Sequence, residues 1–454
     1  MTPSVLWFRR DLRLRDNPAL LAAVSAAGGD GVVPLFVVDP ALWGPAGPSR
    51  RAYLSASLRA LDEALQDGGG RLVVRHGDPV EVVPALTAEV GAGSVHVAAD
   101  FGPHGRARDE RVEKALAEQE VSFERLGSPY AVAPGTVLNG SGKPYQVFTP
   151  FSRAWREHGW HEPAGLPARS AAWRSAPGRD FPDADVPDGL ALPSAGEEAA
   201  RQRWEAFLER VEDYAEDRDR PDRDGTSRMS PHLKWGEIHP RTLLADLADH
   251  TGKGATTYRN ELAWREFYAD VLWNRPDSAR EYYRPELAGM AYDPPTTKAF
   301  EAWQEGRTGY PVVDAGMRQL RATGWMHNRV RMIVASFLVK DLHVEWQHGA
   351  RHFLHWLVDG DLASNNHGWQ WTAGSGTDAS PFFRVFNPTT QGRKFDPAGD
   401  YVRRWVPELA DLSAKEVHDP SARADGPPEG YPPPVVDHAE ERREALDRYE
   451  EVRR

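Results

Sequence analysis

A change of hydrophobic period part-way along the chain constrains the fold more than any other feature. Up to about residue 130, short apolar runs (Val5–Phe8, Gly31–Val38, Leu72–Arg75, Val95–Ala98, Val121–Arg125) alternate with stretches of helical spacing (Asn17–Ala27, Ser49–Asp67, Pro79–Val90, Arg106–Glu120). Such alternation predicts a parallel sheet with crossover helices. From Glu197 onward the signals are nearly all helical, with apolar residues recurring on one face in Ala199–Asp217, Thr256–Asn274, Tyr310–Lys340 and Ala350–Val358. The expected architecture is an α/β N-terminal domain with a Rossmann-like parallel sheet (1–130), an interdomain connection (131–196) and an all-α domain (197–454). From His161 to Gly196 the chain is rich in Pro, Ala, Gly and Asp, and it reads as a surface linker. Beyond Asp419 a Pro-rich stretch and then a short charged helix read as a surface wrap.

A length of 454 residues is too great for one core, which agrees with two domains. The absence of cysteine excludes disulfides, thiolate metal sites and a cysteine nucleophile. No apolar run is long enough to span a bilayer and the first residues lack a secretory pattern, so a cytoplasmic protein with no membrane partner is expected. Nothing suggests an obligate dimer, and a monomer is expected. The net charge of −12 argues against a general nucleic-acid coat but leaves room for a local basic patch. Many of the 16 tryptophans fall between Trp264 and Trp405, which hints at stacking or electron chemistry in that half.

Several stretches carry candidate chemistry. Arg9-Arg10-Asp11-Leu12-Arg13 follows the first strand, where ligands of parallel sheets sit, and is placed to meet an anion or polar ligand; the alternative is a solvated loop. Asp224–Pro231 (DGTSRMSP) offers hydroxyls at a helix start, suited to phosphate or to ordinary capping. In Tyr258–Trp273, Glu261, Trp264, Arg265 and Tyr268 share one helical face able to bond and stack a planar ligand, or simply to be solvated. Asn328, Arg331 and Met332 lie within one turn, and Arg331 can pair with a phosphate or with Asp359. His327 nearby is more often structural in such a helix. Leu357–Trp371 (LVDGDLASNNHGWQW) sets carboxylates and amides beside aromatics, the mix that suits a flat heteroatom-rich ligand; the alternative is a polar turn between core helices. Pro381–Phe395 interleaves basic, amide and aromatic residues as a nucleic-acid-facing loop would. No hydrolase, metalloprotease or metal-spacing pattern is present, so no metal is expected. The wealth of aromatics over acid–base pairs points to a cofactor that carries the chemistry.

WFRRDLRLRDNPAL, GTSRMSP, NELAWREFY, TGYPVVDAGMRQLRATGWMHNRVRMIVASFLVKDL, DGDLASNN with GWQW, and FNPTTQGRKFD resemble, in order and spacing, the photolyase/cryptochrome family over essentially the whole chain. Within it the pattern is similar to bacterial class I cyclobutane pyrimidine dimer photolyases. The resemblance implies FAD in the helical domain. Tyr214, Thr226, Ser227, Arg228, Met229 and Ser230 match its diphosphate-side contacts, and Arg331, Asp359, Gly360 and Asp361 its ribityl and isoalloxazine contacts. Asn365 stands where the family faces flavin N5 and is the photolyase choice there. Glu261, Trp264, Asn328, Met332 and Trp371 match the cyclobutane-dimer pocket, and Arg218, Asn328, Arg329 and Gln391 match positions near DNA together with Glu261 and Trp264.

The implied activity is light-driven repair, in which excited reduced FADH⁻ gives an electron to a flipped-out pyrimidine dimer in DNA. The alternatives are a blue-light receptor of the cryptochrome kind that binds FAD without repair, and an FAD-binding structural module. Trp369 and Trp346 match two members of the photoreducing tryptophan chain. The third falls at Asp293, so either Tyr292 ends the chain or another donor serves. Arg51, Asp100, Gly105, Arg106 and Lys234 resemble the antenna site of deazaflavin-type members. An 8-hydroxydeazaflavin antenna is favoured, with a folate (methenyltetrahydrofolate) as runner-up, because folate-type members carry Asn-Glu where His104 and Gly105 stand here.

Overall fold

The computed structural model describes residues 2–166, 171–382 and 384–453. Strands β1 (Ser4–Phe8), β2 (Val32–Val38), β3 (Val73–His76), β4 (Ser94–Val97) and β5 (Ser122–Arg125) form one parallel sheet in the order β3-β2-β1-β4-β5. Every residue of β1 and β2 is buried, as unbroken apolar strands with helices on both faces require. Side chains alternate between two cores: Val5 and Trp7 meet Val33 and Leu35 on one face, while Leu6 and Phe8 meet Phe36 on the other. The crossover helices α1 (Pro18–Ala27), α2 (Pro48–Asp67), α3 (Pro79–Val90) and α4 (Pro103–Ala117) all carry proline in the first turn, where a missing N–H costs nothing. Pro103 therefore starts α4 earlier than the expected Arg106.

The connection is less plain than expected. Its residues 167–170 lie outside the described residues. Phe148–His158 is a helix, α5, and its Phe151 and Trp155 are buried in one core with Trp204, Phe207 and Phe267. The run is short and carries Pro150, which obscures its helical period. Further on, Trp173 pairs with Val32 and Arg179 N donates to Val74 O at 2.8 Å. The segment thus covers the edge strand β3, a site that would otherwise present unpaired backbone groups.

The helical half contains α6 (Glu197–Leu208), α7 (Ser230–Trp235), α8 (Lys253–Asn274), α9 (Pro311–Thr323), α10 (Asn328–Lys340), α11 (Trp346–Trp356) and α12 (Leu362–Ala373). The single run expected over Tyr310–Lys340 is two helices. Gly324 ends α9 at φ 64°, and a Cβ there would come within 2.8 Å of Val358. Buried His327 then caps α10 by accepting from Arg329 N at 3.1 Å, so its role is structural. This break places Asn328, Arg331 and Met332 on the opening turns of a new helix. The expected loop at Pro381–Phe395, of which Phe383 lies outside the described residues, contains the helix α13 (Pro388–Phe395). Its cap Asn387 accepts from Thr390 N at 2.8 Å. The charged tail helix is present as α14 (His438–Arg453). Among the described residues no helix is long and apolar enough to cross a membrane.

Candidate functional site

Helices α8, α10 and α12 surround a cavity of about 370 Å³. It shares Glu261, Asn328, Arg331, Asp359 and Asp361 with a neighbouring cavity of about 270 Å³ that extends to the Ser227–Ser230 loop. The α8 face singled out by its spacing faces the cavities: Glu261, Trp264 and Tyr268 line the first and Arg265 the second. Phe148 stacks on Trp264 at 3.7 Å and 6°, a support no local pattern announced. Glu261 pairs with Arg218 at 2.8 Å. Burial pushes the Glu261 carboxyl above its ordinary value, and Arg218 opposes that shift.

On α10, Asn328, Arg329, Arg331 and Met332 all reach the wall. Arg331 Nη2 donates to Asp359 Oδ2 at 2.8 Å and its Nε to Met326 O at 2.8 Å, so the anticipated pairing with Asp359 is made. Asp359 is 7% exposed, yet its Oδ1 is buried without a hydrogen-bond partner. A buried carboxylate oxygen left unbonded is costly, and this one belongs to a cavity wall, where a ligand N–H or O–H would satisfy it.

Asp361 caps α12 by accepting from Ser364 N at 3.1 Å, and it also receives Arg10 Nη2 at 2.7 Å. Arg10 follows β1, so the strand end that was placed to meet an anion or polar group meets this carboxylate. Arg9 pairs with Asp109, and Arg13 donates to Gly236 O at 3.0 Å; the solvated-loop reading does not hold. Burial favours the protonated form of Asp361, but Arg10, Lys234 and Arg265 outweigh it and hold the carboxyl well below the usual range. Asn365 Nδ2 donates to Ala350 O at 3.1 Å and to Asn366 Oδ1 at 2.8 Å. With both amide hydrogens taken, oxygen is the atom Asn365 can offer to a ligand. Gly360, Trp369 and Trp371 complete this wall.

Trp369 is wedged between Phe353 (4.9 Å, 75°) and Trp303 (6.2 Å, 70°). Trp346 is fully buried in the same core and lies away from the cavity walls. Tyr292 is a neighbour of Tyr282, at 6.5 Å, and Tyr282 in turn meets Trp346 at 6.1 Å.

In the second cavity Tyr214, Ser227, Met229 and Ser230 form the wall. Ser227 Oγ accepts from Met229 N at 3.3 Å and bonds with Tyr258 Oη at 3.0 Å, and Ser230 Oγ accepts from Trp325 Nε1 at 3.2 Å, so these hydroxyls are held in place at the cavity wall. Thr226 and Arg228 stand outside both walls. Arg228 has a left-handed backbone (φ 51°) and pairs with Asp224 at 2.9 Å. Gln391 is half-buried on α13, also outside both walls. Arg218 and Arg329 stand in the wall of the first cavity but are tied to Glu261 and Asp219, each at 2.8 Å.

A separate cleft of about 180 Å³ opens beyond the carboxyl ends of β1, β2 and β4, where this sheet order is expected to bind ligands. Trp7, Trp43, Arg50, Arg51, Asp100 and Lys234 are among its lining residues. Gly105 and Arg106 do not join them. Arg106 stacks over Trp273 at 4.0 Å, and Gly105 only makes room, since a Cβ there would come within 2.1 Å of Asp100. Lys234 lines both this cleft and the second helical cavity. Burial, with Arg10 adding to it, lowers its ammonium to about 7.

Comparison with known proteins bears on both halves. Residues 4–169 match a family model described as DNA photolyase, and residues 258–451 one described as the FAD binding domain of DNA photolyase. The chain is 42% identical over 451 residues to the deoxyribodipyrimidine photo-lyase of Streptomyces griseus, covering 97% of this chain and 98% of that one. It is 40% identical to the deoxyribodipyrimidine photo-lyase of Escherichia coli, covering 100% of each. A crystal structure of a bacterial class III photolyase from Agrobacterium tumefaciens superposes with a TM-score of 0.91 at 39% identity, covering 100% of this chain and 98% of that one. A doubly wound α/β half joined to a helical half with this cavity defines a two-part architecture whose helical part is of the FAD-binding type. The chain belongs to the photolyase/cryptochrome family.

Proposed function

We propose that the chain is a deoxyribodipyrimidine photo-lyase that holds FAD in the paired helical cavities and repairs cyclobutane pyrimidine dimers in DNA under light. The oxygen that Asn365 offers to the cavity carries this reading. A hydrogen-bond acceptor at that place complements an N–H donor, which a flavin ring presents at N5 only when reduced. Asp359 Oδ1 supplies a second unfilled acceptor in the same wall. The residues therefore fit the group, with Asp359, Asp361 and Asn365 holding its ring side and Tyr214, Ser227, Met229 and Ser230 its phosphate side.

When bound and reduced, the flavin supplies the electron that light drives into the lesion. The protein's own part is to bind and orient the lesion. Trp264, backed by Phe148, and Trp371 give the cavity flat apolar walls for a flipped-out dimer, whose poor stacking makes it cheaper to extrude than a normal pair. Glu261, shifted by burial towards its protonated form, donates a hydrogen bond to a pyrimidine carbonyl and stabilises charge arriving there. Arg218 and Arg329 exchange their carboxylate partners for DNA phosphates, which makes binding depend on salt. The α/β half (1–130) carries the antenna in the cleft by Lys234, and 8-hydroxydeazaflavin is favoured over folate on the strength of Arg51, Asp100 and Lys234. The connection 131–196 and the helical half 197–454 complete the division, and the protein acts as a monomer.

The test is direct. Reduced, FAD-loaded protein is illuminated with blue or near-UV light in the presence of oligonucleotides carrying thymine dimers, and intact adjacent thymines are counted. Restoration that requires light is expected. Dimers that persist under those conditions refute the proposal.

A further inference from the structure

The aromatic chain behind the cavity raises a chemical question that its tryptophans do not answer. Trp369 and Trp346 are 3% and 0% exposed, and the indole N–H of each is buried without an acceptor. An indole that loses an electron becomes a cation, and it sheds its N–H proton only if something can take it. Here nothing adjacent can, so the positive charge stays in a low-dielectric core, where it is costly. The position where the family pattern ends the chain is Asp293, whose carboxylate is tied to Arg448 at 2.9 Å and has no ring to oxidise.

Tyr282 differs from both tryptophans. Its ring meets Trp346 edge-on, with centroids 6.1 Å apart and an interplanar angle of 84°. It is 4% exposed, and its hydroxyl donates to Glu345 Oε1 at 3.0 Å. Glu345 is half-buried, precedes Trp346 in the chain and opens the way to water. Tyr292 packs beyond Tyr282 at 6.5 Å.

We infer that Tyr282, with Glu345 as its proton acceptor, is the terminal electron donor to Trp346, which shares one buried core with Trp369. The inference rests on the proposed flavin, whose photo-excited oxidised form is the oxidant. One electron leaves Tyr282 and fills the hole on Trp346, while the phenolic proton moves along the existing bond from Tyr282 Oη to Glu345 Oε1. The products are neutral Trp346, a neutral tyrosyl radical and a protonated Glu345. No new charge remains in the core, because the proton leaves with the electron. Tyr282 thus does what the missing tryptophan would do, by a proton-coupled route that an indole at Asp293 would not need.

The test uses the full chain loaded with oxidised FAD. Flavin absorbance is measured first, so a failure of the cofactor reading is seen separately as a lack of bound flavin. The loaded protein is then flashed with blue light and followed by transient absorption and freeze-trapped electron paramagnetic resonance. A tyrosyl radical is expected, with the decay of the tryptophan cation slowed severalfold in D2O. Tyr282→Phe abolishes the tyrosyl signal, and Tyr292→Phe leaves it. Glu345→Gln keeps the ring but removes the acceptor, so the tryptophan cation persists and the solvent isotope effect disappears. Melting temperature and flavin content report whether each variant folds. A tyrosyl signal that survives Tyr282→Phe, a tryptophan radical as the final species in the unaltered protein, or an isotope effect unchanged in Glu345→Gln would each overturn the inference.

Discussion

Asp359→Asn separates a binding role for this residue from a merely structural one. In the folded chain one carboxylate oxygen receives Arg331 and the other is buried and unbonded. An asparagine of the same shape keeps one oxygen, which Arg331 would retain, and turns an NH2 group to the orphan position. A ligand N–H or O–H that was bonded to a carboxylate then meets another donor. A hydrogen bond to a charged group contributes about 1.5–3 kcal/mol, so at about 1.4 kcal/mol per factor of ten FAD affinity should fall about ten- to a hundredfold. The apoprotein should not suffer in parallel. Arg331 keeps its bond to Met326 O at 2.8 Å and is part-exposed, so water can stand in for the lost ion pair, while the unbonded carboxylate oxygen is removed. The assay is titration of the apoprotein with FAD by quenching of flavin fluorescence, set beside the melting temperature of the apo form. An unchanged dissociation constant refutes the reasoning. So does a parallel collapse of the apo melting temperature, which would show that Asp359 serves the fold and not the ligand.

Three further outcomes are expected. In Gly349→Ala the new methyl would lie within 2.1 Å of the Trp369 ring, which Phe353 and Trp303 keep from retreating. Overpacking of about 1–3 kcal/mol exceeds the gain of up to about 1 kcal/mol from helix propensity, so the melting temperature should drop; a rise contradicts the contact. Lys234 holds its proton less tightly when folded, at about 7, than when unfolded. Above that pH the unfolded chain binds more protons, so this residue makes stability rise with pH up to the ordinary lysine range. Lys234→Met should remove that contribution, and urea titrations giving the same pH slope for both proteins would count against it. Finally, Glu261→Ala should lower light-dependent dimer repair while flavin content stays the same, and undiminished repair would rule out its assigned role.

Much of the site was legible because its residues share short-range patterns. Glu261, Trp264, Arg265 and Tyr268 lie at helical spacing on α8, and Asp359, Asp361 and Asn365 fall within one short polar segment. Local period puts such residues on one face or one turn, and the cavities receive all of them. The strands were placed to within a residue or so, because apolar runs bounded by turns have few other uses. Errors arose where the signal is weak or shared. Pro150 obscured α5, and Gly324 divided a run that kept helical period on both sides.

The sequence by itself determined a parallel sheet followed by a helical half, and which segments supply the cavity's polar and aromatic groups, because periodicity and residue type act over a few residues. Only the tertiary structure decided which partners those groups find. Arg10 and Asp361 are 351 positions apart and form one ion pair; Tyr282 meets Trp346 and Glu345 from a distant segment, and Phe148 backs Trp264. Such contacts depend on how whole elements pack, and no local pattern encodes that.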